Sequence, residues 1–231
     1  MYLAIDTSSD MAGLALIQNG QTIAECTWHC GNNHTVELLP HLDHLLKQNG
    51  IDIKSIEGII VARGPGSFNG LRVGLGTAKG LAFSLGVPIS GISTLEAAAF
   101  QYSGSGLPVC PVFDAGRGEA ACAVYQLKEG RWQNLMPESL MTMNELCSKT
   151  VTQTLFCGEL TADMIELIKQ KLGDKAIVPK PLSEQGRVAF LAALGEKRLK
   201  AGLCDDVVTL QPIYLRRPHI SQPKTRYTRT R

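Results

Sequence analysis

Two stretches, "YLAIDTSSDMAGLALIQNGQ" (residues 2–21) and "VCPVFDAGRGEAACAVYQLKEGR" (109–131), decide the fold because they are the same pattern written twice. Each is an apolar run with an Asp at its end, a turn of small residues, and a second apolar run closed by Gly. Asp6 matches Asp114, Ala12 matches Ala120 and Ala15 matches Ala123. A repeated strand-Asp-turn-strand order predicts an internal duplication. Asn19-Gly20 adds the pair of positive-φ residues that a two-residue hairpin turn needs, so the second run folds back on a third.

Outward from the first copy, "HTVELLPHLDHLLKQNG" places Leu38, Leu42 and Leu45 on one stripe at helical spacing, with Pro40 inside it and Asn49-Gly50 as the stop. Pro40 predicts that the helix either starts near it or kinks. "IEGIIVA" reads as a buried strand, residues 68–85 as a helix, "VPISGIS" as a strand and "TLEAAAFQ" as a helix running into the flexible joint "SGSG". After the second copy and a mixed region come the strand "TLFCGE", the helix "TADMIELIKQKL", the strand "AIVP", a helix over about 186–201 and a final extended stretch, "VTLQPIYLRR". Alternating strands and helices predict an α/β protein of two lobes, residues 1–103 and 104–216, followed by a basic tail, 217–231.

The chain has 231 residues, 44% hydrophobic and 19% charged, enough apolar surface for a real core. The net charge of +2 is uneven: residues 216–231 hold six basic side chains and no acid, leaving seventeen cations against twenty-one acids elsewhere. Such a tail is a solvated end or a contact for nucleic acid. The seven cysteines are scattered, and Cys26, His29, Cys30 and His34 lack the two distant pairs of a structural zinc site. No signal peptide is readable, and Arg72 and Lys79 interrupt the one membrane-like stretch, 70–92, so a cytoplasmic protein without a membrane contact is expected.

Strand-Asp-turn-strand found twice is the skeleton of the actin-like, sugar kinase and Hsp70 (ASKHA) architecture, here with duplicated βββαβα-type lobes. In it the two hairpins face each other across nucleotide phosphates, so the turns must be small and their acids must reach a metal. That makes Asp6, Ser8, Asp114 and Gly116 the nucleotide-site candidates, although the Cβ of Ser8 crowds a place better suited to glycine. An ATP-dependent small-molecule kinase is the alternative function that these residues support.

"RGPGSFNGLRVGLGTAKGLAF" (63–83) looks like a phosphate loop and is not a standard one. Lys79-Gly80 reverses the Walker order, and three residues separate Gly66 from Gly70 where the dinucleotide fingerprint has two. Glycine inside a helix costs roughly 1 kcal/mol relative to alanine, so Gly70, Gly74, Gly76 and Gly80 need a reason. Gly70, Gly74, Ala78 and Leu81 share one face, which suits close packing either on the chain's own sheet or on a partner helix.

"AIDTSS", "HTVELLPHLDHLL", "GPGSFNGLRVG", "KGLA", "PISGISTLEA", "FDAGRGE" and "QPIYLR" together resemble, in order, the TsaB (YeaZ) family of tRNA threonylcarbamoyladenosine biosynthesis. Asn69 and Gly116 depart from that pattern, and residues 217–231 lie outside it. The resemblance implies a non-catalytic subunit that pairs with the transferase TsaD, helps recruit the ATPase TsaE, meets tRNA through the complex and forms a homodimer when alone. TsaD carries two histidines one helical turn apart as metal ligands; Thr94 and Ala98 stand at the matching places here. The expected contacts with TsaD are His34, Leu38, Leu42, Leu45, Gly70, Leu71, Gly74, Ala78 and Leu81, on two helices that would bundle with their counterparts. The resemblance thus implies protein contact, not phosphate binding, for residues 63–83. No metal, catalytic residue or cofactor of its own is expected, ATP or ADP entering only at a composite junction between subunits.

Overall fold

The computed structural model describes residues 1–31, 33–179 and 186–216. The first sheet contains β1 (Tyr2–Asp6), β2 (Met11–Gln18), β3 (Gln21–His29), β4 (Gly58–Ala62) and β5 (Ile89–Ile92), ordered β3-β2-β1-β4-β5. The second contains β6 (Val109–Asp114), β7 (Glu119–Lys128), β8 (Arg131–Thr142), β9 (Thr154–Gly158) and β10 (Ala176–Ile177), ordered β8-β7-β6-β9-β10. Helices α1 (His34–Gln48), α2 (Phe68–Leu85) and α3 (Thr94–Phe100) follow β3, β4 and β5; α4 (Met143–Lys149), α5 (Ala162–Leu172) and α6 (Arg187–Lys200) follow β8, β9 and β10. The duplication is therefore complete in topology: each copy is the expected βββαβα unit extended by one more strand and helix. The chain is an α/β protein of the two-lobed ASKHA type.

The central strands are apolar along their length because both faces of the first sheet are covered. Leu3, Ile5, Leu14, Leu16, Ile59 and Val61 meet α1 and α2 on one face, while Ala4, Ala15, Ile17, Ile60 and Ala62 meet α6 on the other. Asn19 (φ 53°) and Gly20 (φ 79°) turn β2 into β3. Pro40 lies within α1, which begins at His34. Ser67 caps the start of α2 by accepting from the Gly70 amide, and Gly86 closes its end in the left-handed conformation.

Three expectations change. Helix α6 follows the second sheet in the chain yet packs on the first, so 104–216 is not one spatial unit. Its Gly195 lies so close to the sheet that a Cβ would come under 3.0 Å from Ile60. The expected joint "SGSG" opens in a short 3-10 turn, Ser103–Ser105, and just before it α3 packs Leu95, Ala98 and Ala99 into the core of the second sheet. Finally, Asp6 pairs with Gly13 whereas Asp114 pairs with Ala120, so the first turn is one residue longer and Gly13, not Ala12, is the counterpart of Ala120.

The final stretch runs along the open edge of β5 without becoming a strand. Asp205 donates its amide to the Ile89 carbonyl and accepts the Gly91 amide on its carboxylate. Lys79 Nζ donates to the carbonyls of Val208 (2.9 Å) and Leu210 (3.2 Å), Leu210 enters the core, and the Ile213 amide donates to the Arg63 carbonyl. The strap shields an otherwise unpaired sheet edge. The expected tail, 217–231, lies outside the described residues.

Candidate functional site

The glycine question is settled by what lies opposite each glycine. A Cβ on Gly66, Gly70 or Gly74 would come closer than 3.0 Å to the Ser8 carbonyl, the Thr7 carbonyl and the Thr7 hydroxyl, respectively. Thr7 Oγ1 in turn donates to the Gly70 carbonyl at 2.8 Å. This small face is thus filled by the chain's own β1–β2 turn. Nothing lies within 4 Å of a Cβ on Gly76 or Gly80.

The expected partner contacts are corrected accordingly. Leu38, Leu42, Leu45, Leu71, Gly70, Gly74 and Ala78 are buried, Leu81 packs against the core, and His34 is buried with Nε2 2.9 Å from the Ser9 carbonyl. A partner cannot reach the buried ones without unpacking the lobe; Leu81, half-buried, stays partly open. The outward faces of the same two helices carry Val36 (68% exposed), Leu39 (54%) and Phe83 (79%), with Gly76 and Gly80 also open to solvent. Residues 76, 80 and 83 also have helical spacing and form a second face that the sequence reading did not single out; the position of the Thr7–Ser8 turn shows which of the two faces is covered.

The two hairpin turns face each other across a cleft of about 930 Å³ lined by Ser8, Ser9, Gly66, Phe68, Asp114, Tyr214 and Arg216, among others. Asp6 is buried and its carboxylate is engaged: Oδ2 accepts from Arg187 Nε (2.7 Å), and Oδ1 accepts from the Ser8 hydroxyl (2.6 Å) and amide (3.0 Å). Burial alone would raise the pKa of this carboxyl; the charge and hydrogen bond of Arg187, with the hydrogen bonds from Ser8, hold it below the usual carboxylate range. Arg187 also donates to the Ser8 (3.1 Å) and Ser9 (3.0 Å) hydroxyls, approaches Glu159 and lies over the Phe113 ring.

The second turn is tied differently. Asp114 is exposed and accepts the Gly116 amide (2.8 Å), while the Ala115 amide donates to Glu119. Arg216 donates to the Ala115 carbonyl (3.0 Å) and pairs with the Glu119 carboxylate. Ser8, Ala115 and Gly116 therefore spend their amides inside the turns, and Asp6 spends its charge on an arginine. Sequence reading missed Arg187. The available signal was a cation in the first turn of a helix, where the helix dipole disfavours it and a partner is needed.

Elsewhere, His41 stacks on Trp28 with ring centroids 4.0 Å apart, and Trp28 donates to Glu37. Burial pushes the Cys26 thiol up to about 11. Thr94 is buried with its hydroxyl unpartnered, and Ala98 is buried in the core of the second sheet. Among the described residues, no cluster of three or more His, Cys, Asp or Glu side chains has the arrangement of a metal site, and no helix is long and apolar enough to cross a membrane.

Two sheets of identical topology, facing hairpins and a cleft between them define the class: a two-lobed ASKHA protein. Solved structures agree. The chain superposes on a YeaZ-like protein from Pseudomonas aeruginosa with a TM-score of 0.79 at 24% identity, covering 93% of this chain and 99% of that one. On a putative N-acetylmannosamine kinase from Listeria monocytogenes it gives 0.53 at 11% identity, covering 86% and 99%. Residues 29–222 match the family described as TsaD, tRNA N6-adenosine threonylcarbamoyltransferase. End to end, the sequence is 35% identical over 217 residues to the tRNA threonylcarbamoyladenosine biosynthesis protein TsaB of Bacillus subtilis, covering 93% of each chain. The chain belongs to the TsaB (YeaZ) family.

Proposed function

We propose that this chain serves tRNA threonylcarbamoyladenosine biosynthesis as a non-catalytic scaffold, binding a TsaD-type transferase through the outward faces of α1 and α2. The observation that carries the reading is the combination of large exposed apolar side chains, Val36, Leu39 and Phe83, with the uncovered Gly76 and Gly80 on the same helical layer. Bare glycines let a facing helix approach closely, and exposed apolar side chains gain from being covered. A TsaE-type ATPase would be recruited near that junction, tRNA would be met in the complex, and a second copy of this chain would occupy the same face when the transferase is absent. The engaged state of Asp6 and the buried Thr94 and Ala98 support a scaffold over a kinase or a metal-dependent transferase. Any ATP or ADP is assigned to a composite junction between subunits.

The test is co-purification with a TsaD partner followed by an assay for the modified nucleoside, with and without this chain. Association and a requirement for the chain are expected, with association lost in Phe83→Arg and kept in Asp114→Ala. Modified nucleoside made from threonylcarbamoyl-adenylate and tRNA by this chain alone would overturn the reading.

A further inference from the structure

Kinases of the two-lobed architecture bring a divalent cation to the acids of their facing turns, and Mg²⁺ takes oxygen ligands at about 2.0–2.1 Å. The first turn here does not fit one. Asp6 Oδ2 already accepts from Arg187 Nε at 2.7 Å, and Oδ1 accepts from the Ser8 hydroxyl and amide. The same guanidinium donates from Nη2 to the Ser8 and Ser9 hydroxyls and brings Nη1 to 3.8 Å from a Glu159 oxygen. One fixed positive group thus sits among two carboxylates and two hydroxyls, the hard oxygen donors that suit Mg²⁺. A metal ion arriving there would meet a buried cation in place of open lone pairs.

This placement is built into the packing. Asp6 and Gly13 are register partners in β1 and β2. A Cβ on Gly13 would come 3.0 Å from the Val188 side chain, so the first turn of α6 lies directly on that pair. Val188 rests on Gly13, and the residue before it reaches the Asp6 carboxylate. Arg187 is only 6% exposed. The helix dipole disfavours a cation at this end of α6, and the Asp6 carboxylate offsets that field.

We infer that Arg187 stands in for the divalent cation of the related kinases: its guanidinium neutralises Asp6 and bridges the first turn to Glu159, beside the end of β9. A metal would do this from solution, reversibly; a side chain does it permanently. The chain therefore keeps its first turn and that bridge in metal-free solution. Asp6 is left with no part in holding a metal–nucleotide complex, so a cation accompanying ATP or ADP at a junction between subunits is held by groups other than Asp6.

Urea unfolding of the full-length chain in chelator and in millimolar MgCl₂, with ionic strength matched by NaCl, tests this. The parent midpoint should be the same in both. Arg187→Ala should unfold at lower urea in chelator and regain stability in Mg²⁺. The gain should be about tenfold in the folding equilibrium constant, the response of a site at about ten times its dissociation constant. Adding Asp6→Asn to Arg187→Ala should remove that response. An Arg187→Ala protein that responds to Mg²⁺ no more than the double variant overturns the inference. So does a parent stabilised by Mg²⁺ in a way that Asp6→Asn abolishes. If Arg187→Ala does not fold in chelator, refolding gives the same readout: recovery in Mg²⁺ supports the inference, and failure in Mg²⁺ overturns it. The assay uses the chain alone, so its result is independent of whether the chain pairs with a transferase.

Discussion

Placing the same substitution at two glycines of α2 should move stability in opposite directions. At Gly80 an added methyl meets nothing within 4 Å, so Gly80→Ala gains the backbone term alone, about 0.5–1 kcal/mol. At Gly74 the methyl would drive into the Thr7 hydroxyl, which is buried and donates to the Gly70 carbonyl. The same backbone gain is then opposed by overpacking, about 1–3 kcal/mol, and by an orphaned hydroxyl, about 1–3 kcal/mol. Gly74→Ala should lose about 1–5.5 kcal/mol net. Urea unfolding followed by far-ultraviolet circular dichroism and by tryptophan fluorescence reads both variants, and agreement of the two probes licenses the two-state comparison. A Gly74→Ala midpoint at or above that of the parent would refute the assignment of this face to the chain's own hairpin turn.

Other outcomes follow from the same contacts. Arg187→Met leaves the Asp6 carboxylate buried without its cation and should cost about 3–5 kcal/mol, whereas Asp6→Asn combined with Arg187→Met should recover much of the loss; denaturant midpoints check both. Because the Asp6 carboxyl is held below its ordinary value in the folded state, its contribution is fully present above about pH 4, the unfolded range, and fades as pH falls through the lower folded value. Stability measured between neutral and strongly acidic pH should therefore fall less steeply in Asp6→Asn than in the parent. Phe83→Arg, at a side chain 79% exposed, should shift stability by no more than about 0.5 kcal/mol while abolishing association with the transferase on size exclusion.

Much of the fold was legible because its signals are local. Asp6 and Asp114 ended two apolar runs, Asn19-Gly20 demanded a tight turn, and Asn49-Gly50 stopped α1, so the order of elements could be read in sequence. What could not be read was which side of an element faces inward. The stripe of Leu38, Leu42 and Leu45 fits a core and an interface equally well, as does that of Gly70, Gly74 and Ala78; both turned out to be core. The choice depends on Thr7, more than sixty residues away in the chain, whose turn fills the glycine notch. Arg187 and Arg216 were hidden for a similar reason. Their partners lie 181 and 97 residues earlier, and nothing in local composition links them.

Those two arginines also show how an architecture suited to nucleotide binding can have its two lobes tied together. Both lie in the part of the chain that follows the second sheet. Arg187 binds the first turn through Asp6, Ser8 and Ser9 and reaches Glu159, at the end of β9 in the second sheet. Arg216 ends a strap anchored along β5 and binds the second turn at Ala115 and Glu119. Each therefore ties an element of one sheet to an element of the other, across an architecture that a kinase must open and close around its substrate. Fixed lobes would handicap phosphoryl transfer. For the scaffold proposed above, ties of this kind set α1 and α2 in a defined position relative to the second sheet, so that contacts made on those helices bear on both lobes.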